Sequence, residues 1–395
     1  MTYNLTLSTY SSWVHAYLPE RTHPFVLLSY PIPYHPTPSQ SFKQQQRIYP
    51  IGTHTLYDKG WKDVYFSIFW AIAFTILRAV FMRFVFAPFV RLISGRPPKG
   101  DGREQRKERK RRKHVITRFS EQAWSWLYCS IFWTLGVVTL YQVPSPTSPQ
   151  QLWGTYPYSP LPALNKFYYL AQLGWWFHQL YVISTEKRRK DHWQMFGHHW
   201  LTITLIVSSY VANFTRVGVV VHSLLDFCDI FLPLAKMIRY LGYTTACDIT
   251  FVIFLVSWLL TRQIGLFLVI KTSYFDAPKY ISFKWHPASG HYLTYGTYLG
   301  FCGMLAVLWV LASVWFYMAC RVAVRVVRGL GAEDSRSDDE DEGEDGEEVE
   351  GNEGEIKVRV NGDMDALKDV PESVGTASNI GGAVDGDAGG LKKRR

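Results

Sequence analysis

Seven stretches of this chain, approximately 64–86, 122–142, 164–183, 198–214, 216–235, 248–271 and 297–323, are apolar over about the 20 residues that a bilayer core demands. In hydrocarbon every backbone N–H and C=O must find a partner inside the protein, which leaves only helices and closed barrels. The runs are continuous and lack the alternation of barrel strands. The expected fold is therefore all-α, an integral membrane protein of about seven transmembrane helices around an internal cavity. A mean hydropathy of −0.05 conceals this, because the apolar spans are offset by a charged loop and a charged tail.

Charge sorts the connections. Residues 91–118 hold Arg103, Arg106, Lys107, Arg109, Lys110, Arg111, Arg112 and Lys113, and Lys187, Arg188, Arg189 and Lys190 follow the third span. Lys236 and Arg239 follow the fifth, and Arg321, Arg325 and Arg328 close the seventh. All lie after odd-numbered spans, hence on one side, which the positive-inside rule makes cytosolic. The N-terminus is then lumenal and the C-terminus cytosolic. No early charged region precedes an apolar core, so no cleaved signal peptide is expected. Asn4 begins a glycosylation sequon on the expected lumenal side, and the terminal Lys392-Lys393-Arg394-Arg395 has the dilysine form that retrieves membrane proteins to the endoplasmic reticulum.

The region 333–356 contains fourteen acidic residues and one arginine, so with a net charge of +9 overall the remainder carries about +22. That excess beside apolar segments suits an anionic leaflet or a phosphorylated ligand better than DNA, and no nucleic-acid-binding motif accompanies it. From about residue 331 the chain lacks the apolar residues to build a core and is expected to be disordered. Ser335 and Ser337, each with an acid three residues on, fit an acidophilic kinase such as casein kinase 2. Five scattered cysteines form no C-x-x-C pair, which points to buried thiols rather than disulfides or zinc.

The fourth and fifth spans break the apolar rule with His198, His199, Asn213, Arg216, Asp226 and Asp229. A carboxylate in a bilayer is tolerated where protein or water surrounds it, so these residues mark a site. Neighbouring helix positions point about 100° apart, so one of His198 and His199 is expected to face a cavity while the other packs or bonds to a neighbour. Asp226 and Asp229 share a face, with His222 one turn before. A histidine near neutrality can deprotonate a nucleophile or accept an acyl group itself, and Tyr210, Asn213 and Arg216 are candidate substrate contacts and oxyanion donors. Arg188, Arg189 and Lys190 stand where a phosphorylated substrate such as coenzyme A would enter. These parts suggest acyl transfer from a thioester. A metal centre, a proton relay in a transporter and a structural hydrogen-bond network remain alternatives; only His192, His198, His199 and His222 cluster, against the several histidine boxes of di-iron membrane enzymes. No metal and no cofactor is expected.

The combination Arg188-Arg189-Lys190-Asp191, His198-His199, Ser209-Tyr210, Asn213-Phe214-Thr215-Arg216, Asp226, Asp229, Lys236 and Tyr240 resembles the signature region of ceramide synthases, which are TLC-domain proteins. The stretches 186–197, 208–216 and 229–236, the opening 63–86 and the acidic tail look like fungal members, and the resemblance spans roughly 60–345. It implies an endoplasmic-reticulum enzyme joining a fatty acyl-CoA to dihydrosphingosine or phytosphingosine. It also implies that His198, His199, Asp226 and Asp229 serve activity, with His222 outside the family pattern. The loop of about 274–297 between the last two spans would influence acyl length, and partners would include a second copy or relative in a dimer and a small single-pass accessory subunit. The homeobox-like segment of animal members is absent, and no nucleic acid is expected as partner. A non-enzymatic TLC-domain protein is the competing class. The organisation so read is a lumenal segment 1–61, a first span with its basic loop 62–117, a six-span catalytic domain 118–329 and a tail 330–395.

Overall fold

Each apolar stretch becomes a helix, as a chain without water to satisfy its amides requires. The computed structural model describes residues 2–34, 53–95, 102–143, 145–154, 156–157, 160–186 and 191–328, side chains of 2–9, 326 and 327 aside. The chain divides into two units, Met1–Glu342 and Gly343–Arg395, and every described residue belongs to the first. The helices are α1 (Thr2–Tyr17), α2 (Lys62–Ile93), α3 (Arg103–Tyr141), α4 (Ala163–Thr185), α5 (His192–Val211), α6 (Thr215–Tyr240), α7 (Thr244–Phe275) and α8 (Tyr295–Val327).

Five of them, α2, α3, α6, α7 and α8, are long and apolar enough to cross a membrane, and the protein is a multi-pass membrane protein. Helices α4 and α5, at the third and fourth expected spans, have 23 and 20 residues, about 30 Å or more of rise. They fall outside that group because they carry polar residues such as Lys166, Gln172, His198 and His199. The basic segment before the second span is helical from Arg103, so α3 runs 39 residues instead of starting near 122. Its Arg, Lys and Glu residues favour helix, and no glycine or proline interrupts them.

Helix α6 is central and touches α3, α4, α5 and α7. Helices α2 and α4 pack closely at Gly174, where an added Cβ would lie 2.8 Å from Trp70 Cβ and 2.9 Å from the Ser67 carbonyl oxygen. Two helices contain π-helical segments, Met82–Phe86 in α2 and Leu259–Gly265 in α7. The short strands lie before α2, between α3 and α4, and between α7 and α8. Of these, β1 (Pro31–Pro33), β2 (Thr55–Tyr57) and β3 (Leu161–Pro162) form a small antiparallel sheet, with Leu56 opposite both Ile32 and Pro162. A hairpin of β4 (Lys284–His286) and β5 (His291–Leu293) turns at Gly290, whose φ of 73° suits glycine.

Candidate active site

A cavity of about 500 Å³ lies among α3 to α8. One wall is a stripe of α6 that includes Gly218, His222, Asp226, Asp229, Pro233 and Lys236, recurring every three or four residues as one helix face does. From Gly218 to Lys236 that face is about 27 Å long at 1.5 Å per residue. Asp191, Lys236 and Arg239 line the cavity where α5 begins and α6 ends, here its basic end, whereas Trp153, Phe214, Ala277 and Tyr298 line it near the strands, packed with Leu293. Pro233 has no N–H to give the Asp229 carbonyl, which loosens the helix beside the carboxylates.

His198 and His199 both line this cavity, despite the angle between adjacent helix positions. Trp176 sits against both, with ring centroids 5.6 and 5.3 Å away, and Trp315 of α8 meets His198 edge-on at 5.1 Å. His199 Nδ1 lies 2.5 Å from the Met195 carbonyl oxygen. A carbonyl only accepts, so Nδ1 carries the proton and Nε2 keeps an unshared pair. His198 Nδ1 is buried and has no hydrogen-bond partner among the described residues. His222 also borders the cavity, edge-on to Tyr168 and Tyr169.

The two aspartates are held differently. Asp226 is buried and accepts a 2.8 Å bond from Gln172 Nε2, and Gln172 Oε1 accepts from the Tyr128 hydroxyl at 2.6 Å. Asp229 pairs at 2.5 Å with Arg262 Nη2, which also donates to the Leu225 carbonyl at 3.0 Å. The Arg262 guanidinium lies over the Trp258 ring at 4.4 Å. Among the described residues none of His198, His199 and His222 bonds to either carboxylate; the Met195 carbonyl, not an aspartate, orients His199. Nor do three potential metal ligands converge among them.

Arg262, Gln172 and Tyr128 were not singled out in the sequence. Arg262 stands in the π-helical segment of α7, and the next residue, Gln263, accepts through its carbonyl from Trp309 Nε1 at 3.1 Å. A lone arginine in an apolar run is the same signal that Asp226 gives, and it was available.

Three expected substrate contacts lie outside the cavity wall and tie the strand end together. Asn213 adopts φ of 64° just after α5, where asparagine can cap a helix in the left-handed conformation. Its Nδ2 donates to the Gly290 carbonyl at 2.7 Å, and its Oδ1 accepts from Lys59. Lys59 also donates to the Tyr210 carbonyl at 2.6 Å, and the Tyr210 hydroxyl donates to Asp63 at 2.8 Å. Asp63 in turn pairs with the fully buried Lys166 at 2.7 Å. Burial pushes the Lys59 amine down to about 7, against the opposing pull of Asp58. Arg216 donates to the Gln151 carbonyl at 3.0 Å. The connection from α5 to α6 is only three residues long, and these bonds are what fix it. Arg188, Arg189, Lys190, Ser335 and Ser337 lie outside the described residues, as does the Asn4 side chain in α1.

The TLC domain family pattern matches residues 118–321. The sphingosine N-acyltransferase of Schizosaccharomyces pombe is 39% identical over 289 residues, 73% of this chain and 70% of the relative. A ceramide synthase of Gibberella moniliformis is 34% identical over 320 residues, 74% and 71% of the two chains. A ceramide synthase of Arabidopsis thaliana is 30% identical over 293 residues, 72% and 93%.

Proposed function

The chain belongs to the ceramide synthase branch of the TLC-domain family and is an acyltransferase, and we propose that it joins the acyl group of a fatty acyl-CoA to the amine of a sphingoid base, dihydrosphingosine or phytosphingosine. The observation that carries this reading is the charge pattern of one long cavity. Its middle holds two carboxylates against one guanidinium, which favours an ammonium group. Its basic end carries Lys236 and Arg239, which favour the phosphates of coenzyme A. The apolar length between accepts hydrocarbon chains.

His199 is the histidine we assign to the chemistry, because its Nε2 keeps an unshared pair while Nδ1–H is held by the Met195 carbonyl. In a covalent route Nε2 attacks the thioester carbonyl carbon, the C–S bond breaks, and the thiolate leaves and takes up a proton. The sphingoid amine then attacks the acyl-imidazole, forming the amide and returning the histidine after loss of a proton. In the direct route Nε2 takes the amine's proton as nitrogen attacks the thioester carbonyl carbon; the C–S bond then breaks and the leaving thiolate takes that proton from the imidazolium.

Membranes containing the protein, given labelled sphingoid base and acyl-CoAs of graded length, are expected to form an amide that His199→Ala abolishes. Amide formation undiminished in the His198→Ala/His199→Ala double variant would overturn the assignment. Intact-protein mass spectrometry after acyl-CoA alone separates the routes: an adduct of acyl mass supports the covalent one, and turnover without it supports the direct one.

The occurrence of basic connections after odd-numbered spans supports a cytosolic C-terminus and a lumenal N-terminus. Glycosylation acceptors inserted in the loops after α6 and α7 test this; only the latter is expected to be modified.

A further inference from the structure

A second pocket, of 610 Å³, opens between the basic ends of α2 and α3 and shares no lining residue with the cavity just described. Arg83 and Arg91 reach it from α2, and Arg109, Arg112 and Lys113 from α3. No carboxylate lines it among the described residues. Such a space is roughly 10 Å across, close to one screening length at physiological salt, so Arg83, Arg91, Arg112 and Lys113 repel one another there unless an anion sits between them. Two features hold the arrangement in place. The π-helical segment Met82–Phe86 carries Arg83, and Arg112 donates to the Gly95 carbonyl just past the end of α2.

The floor is different in kind: Ala79, Met82, Ala87 and Ile116 are apolar, and the Thr117 and Ser120 hydroxyls beside them donate to the Lys113 and Ile116 carbonyls of their own helix. On the adjoining face of α2, Ile76, Val80 and Phe84 are exposed, as side chains facing lipid tails are. A site that is cationic above and apolar below, and that opens onto a lipid-facing surface, matches an amphiphile with a phosphorylated head. We propose that this pocket binds the headgroup of an anionic phospholipid at the basic face of the membrane, independently of the acyl-transfer site. A free phosphate compound shares the headgroup chemistry but has no use for the apolar floor.

The test is native mass spectrometry on the detergent-purified full-length protein, titrated with dioctanoyl phosphatidylinositol 4-phosphate and, separately, dioctanoyl phosphatidylcholine. One phosphoinositide is expected to be retained and phosphatidylcholine not. The Arg83→Gln/Arg91→Gln/Lys113→Gln variant is expected to bind roughly 100-fold more weakly, about five-fold for each cation lost, with unchanged Tm and amide-forming activity. Arg83→Lys/Arg91→Lys, which keeps the charge, is expected to bind within a few-fold of the parent. Equal retention of phosphatidylcholine, or undiminished binding by the neutral variant, would overturn the proposal. Displacement of the lipid by equimolar coenzyme A or inorganic phosphate would overturn it in favour of a free phosphate compound. Should the neutral variant not fold, salt decides on the parent protein: affinity that does not fall between 50 and 500 mM ammonium acetate (roughly the range over which phosphate contacts are screened) refutes an ionic site.

Discussion

Replacing Arg262 with glutamine removes the cation paired with a cavity carboxylate. The change keeps an N–H donor for the Leu225 carbonyl but removes the charge paired at 2.5 Å with Asp229 and the stack at 4.4 Å on Trp258. Breaking a fully buried ion pair from one side costs about 3–5 kcal/mol. The Arg262 side chain is 12% exposed, but that of Asp229 is 39% exposed to the cavity, where water can partly solvate a stranded carboxylate. The expected loss is therefore nearer 2 kcal/mol, below the range for full burial. If Arg262 also positions Asp229 for the substrate amine, kcat/KM falls about 30-fold, the equivalent of 2 kcal/mol. The assay is a double-mutant cycle: Arg262→Gln, Asp229→Asn and both together, each measured by Tm in detergent and by amide formation in membranes. Neutralising both partners is expected to recover about 2 kcal/mol of the summed single losses. Additivity within about 0.5 kcal/mol, or full activity of Arg262→Gln, would refute the coupling.

Lys59 gives a pH signature. Its folded pKa of about 7 lies below the ordinary 10.5, so between those values the unfolded chain holds a proton that the folded chain has lost. Stability relative to Lys59→Met is thus expected to be lowest below pH 7 and to rise as pH increases toward 10; a flat difference in Tm between pH 6 and 9 would contradict the burial cost. Asn213→Ala is expected to lower Tm, through about 1–2 kcal/mol of left-handed strain plus about 1 kcal/mol for each lost bond, while KM stays unchanged. A raised KM at constant Tm would instead place Asn213 on the substrate. Gly174→Ala forces a Cβ against Trp70 and the Ser67 carbonyl and is expected to destabilise by about 1–3 kcal/mol, read by thermal unfolding; an unchanged Tm would mean that α2 and α4 separate freely.

Much of the candidate site's lining is legible in the sequence because charge in an apolar helix is costly and therefore informative. His198, His199, Asp226 and Asp229 were found on that ground, and the three-residue spacing of the aspartates placed both on the cavity face. The same ground applied to Arg262, yet the strength of the surrounding hydropathy hid it. Gln172 and Tyr128 give no such signal, since a neutral polar side chain in a helix looks alike whether it supports a carboxylate or fills space. Tyr210, Asn213 and Arg216 are a different case. They sit beside the site in sequence, but the chain turns at Asn213, and the turn itself consumes their hydrogen bonds. The helical start of α3 was missed because charge was read as a loop, although Arg, Lys and Glu propagate a helix in water.

The π-helical stretch in α7 has a consequence for how that helix meets its neighbours. Bonds of the i to i+5 kind admit an extra residue in a turn, so the N-terminal and C-terminal halves of α7 are out of phase by roughly one residue's rotation, about 100°. A single helical wheel drawn over Thr244–Phe275 therefore assigns one half to the wrong side. Arg262 stands at the phase break. Removing one residue there would restore a regular helix only by turning half of α7 away from its partners, so the length of that seven-residue stretch is itself part of the wall.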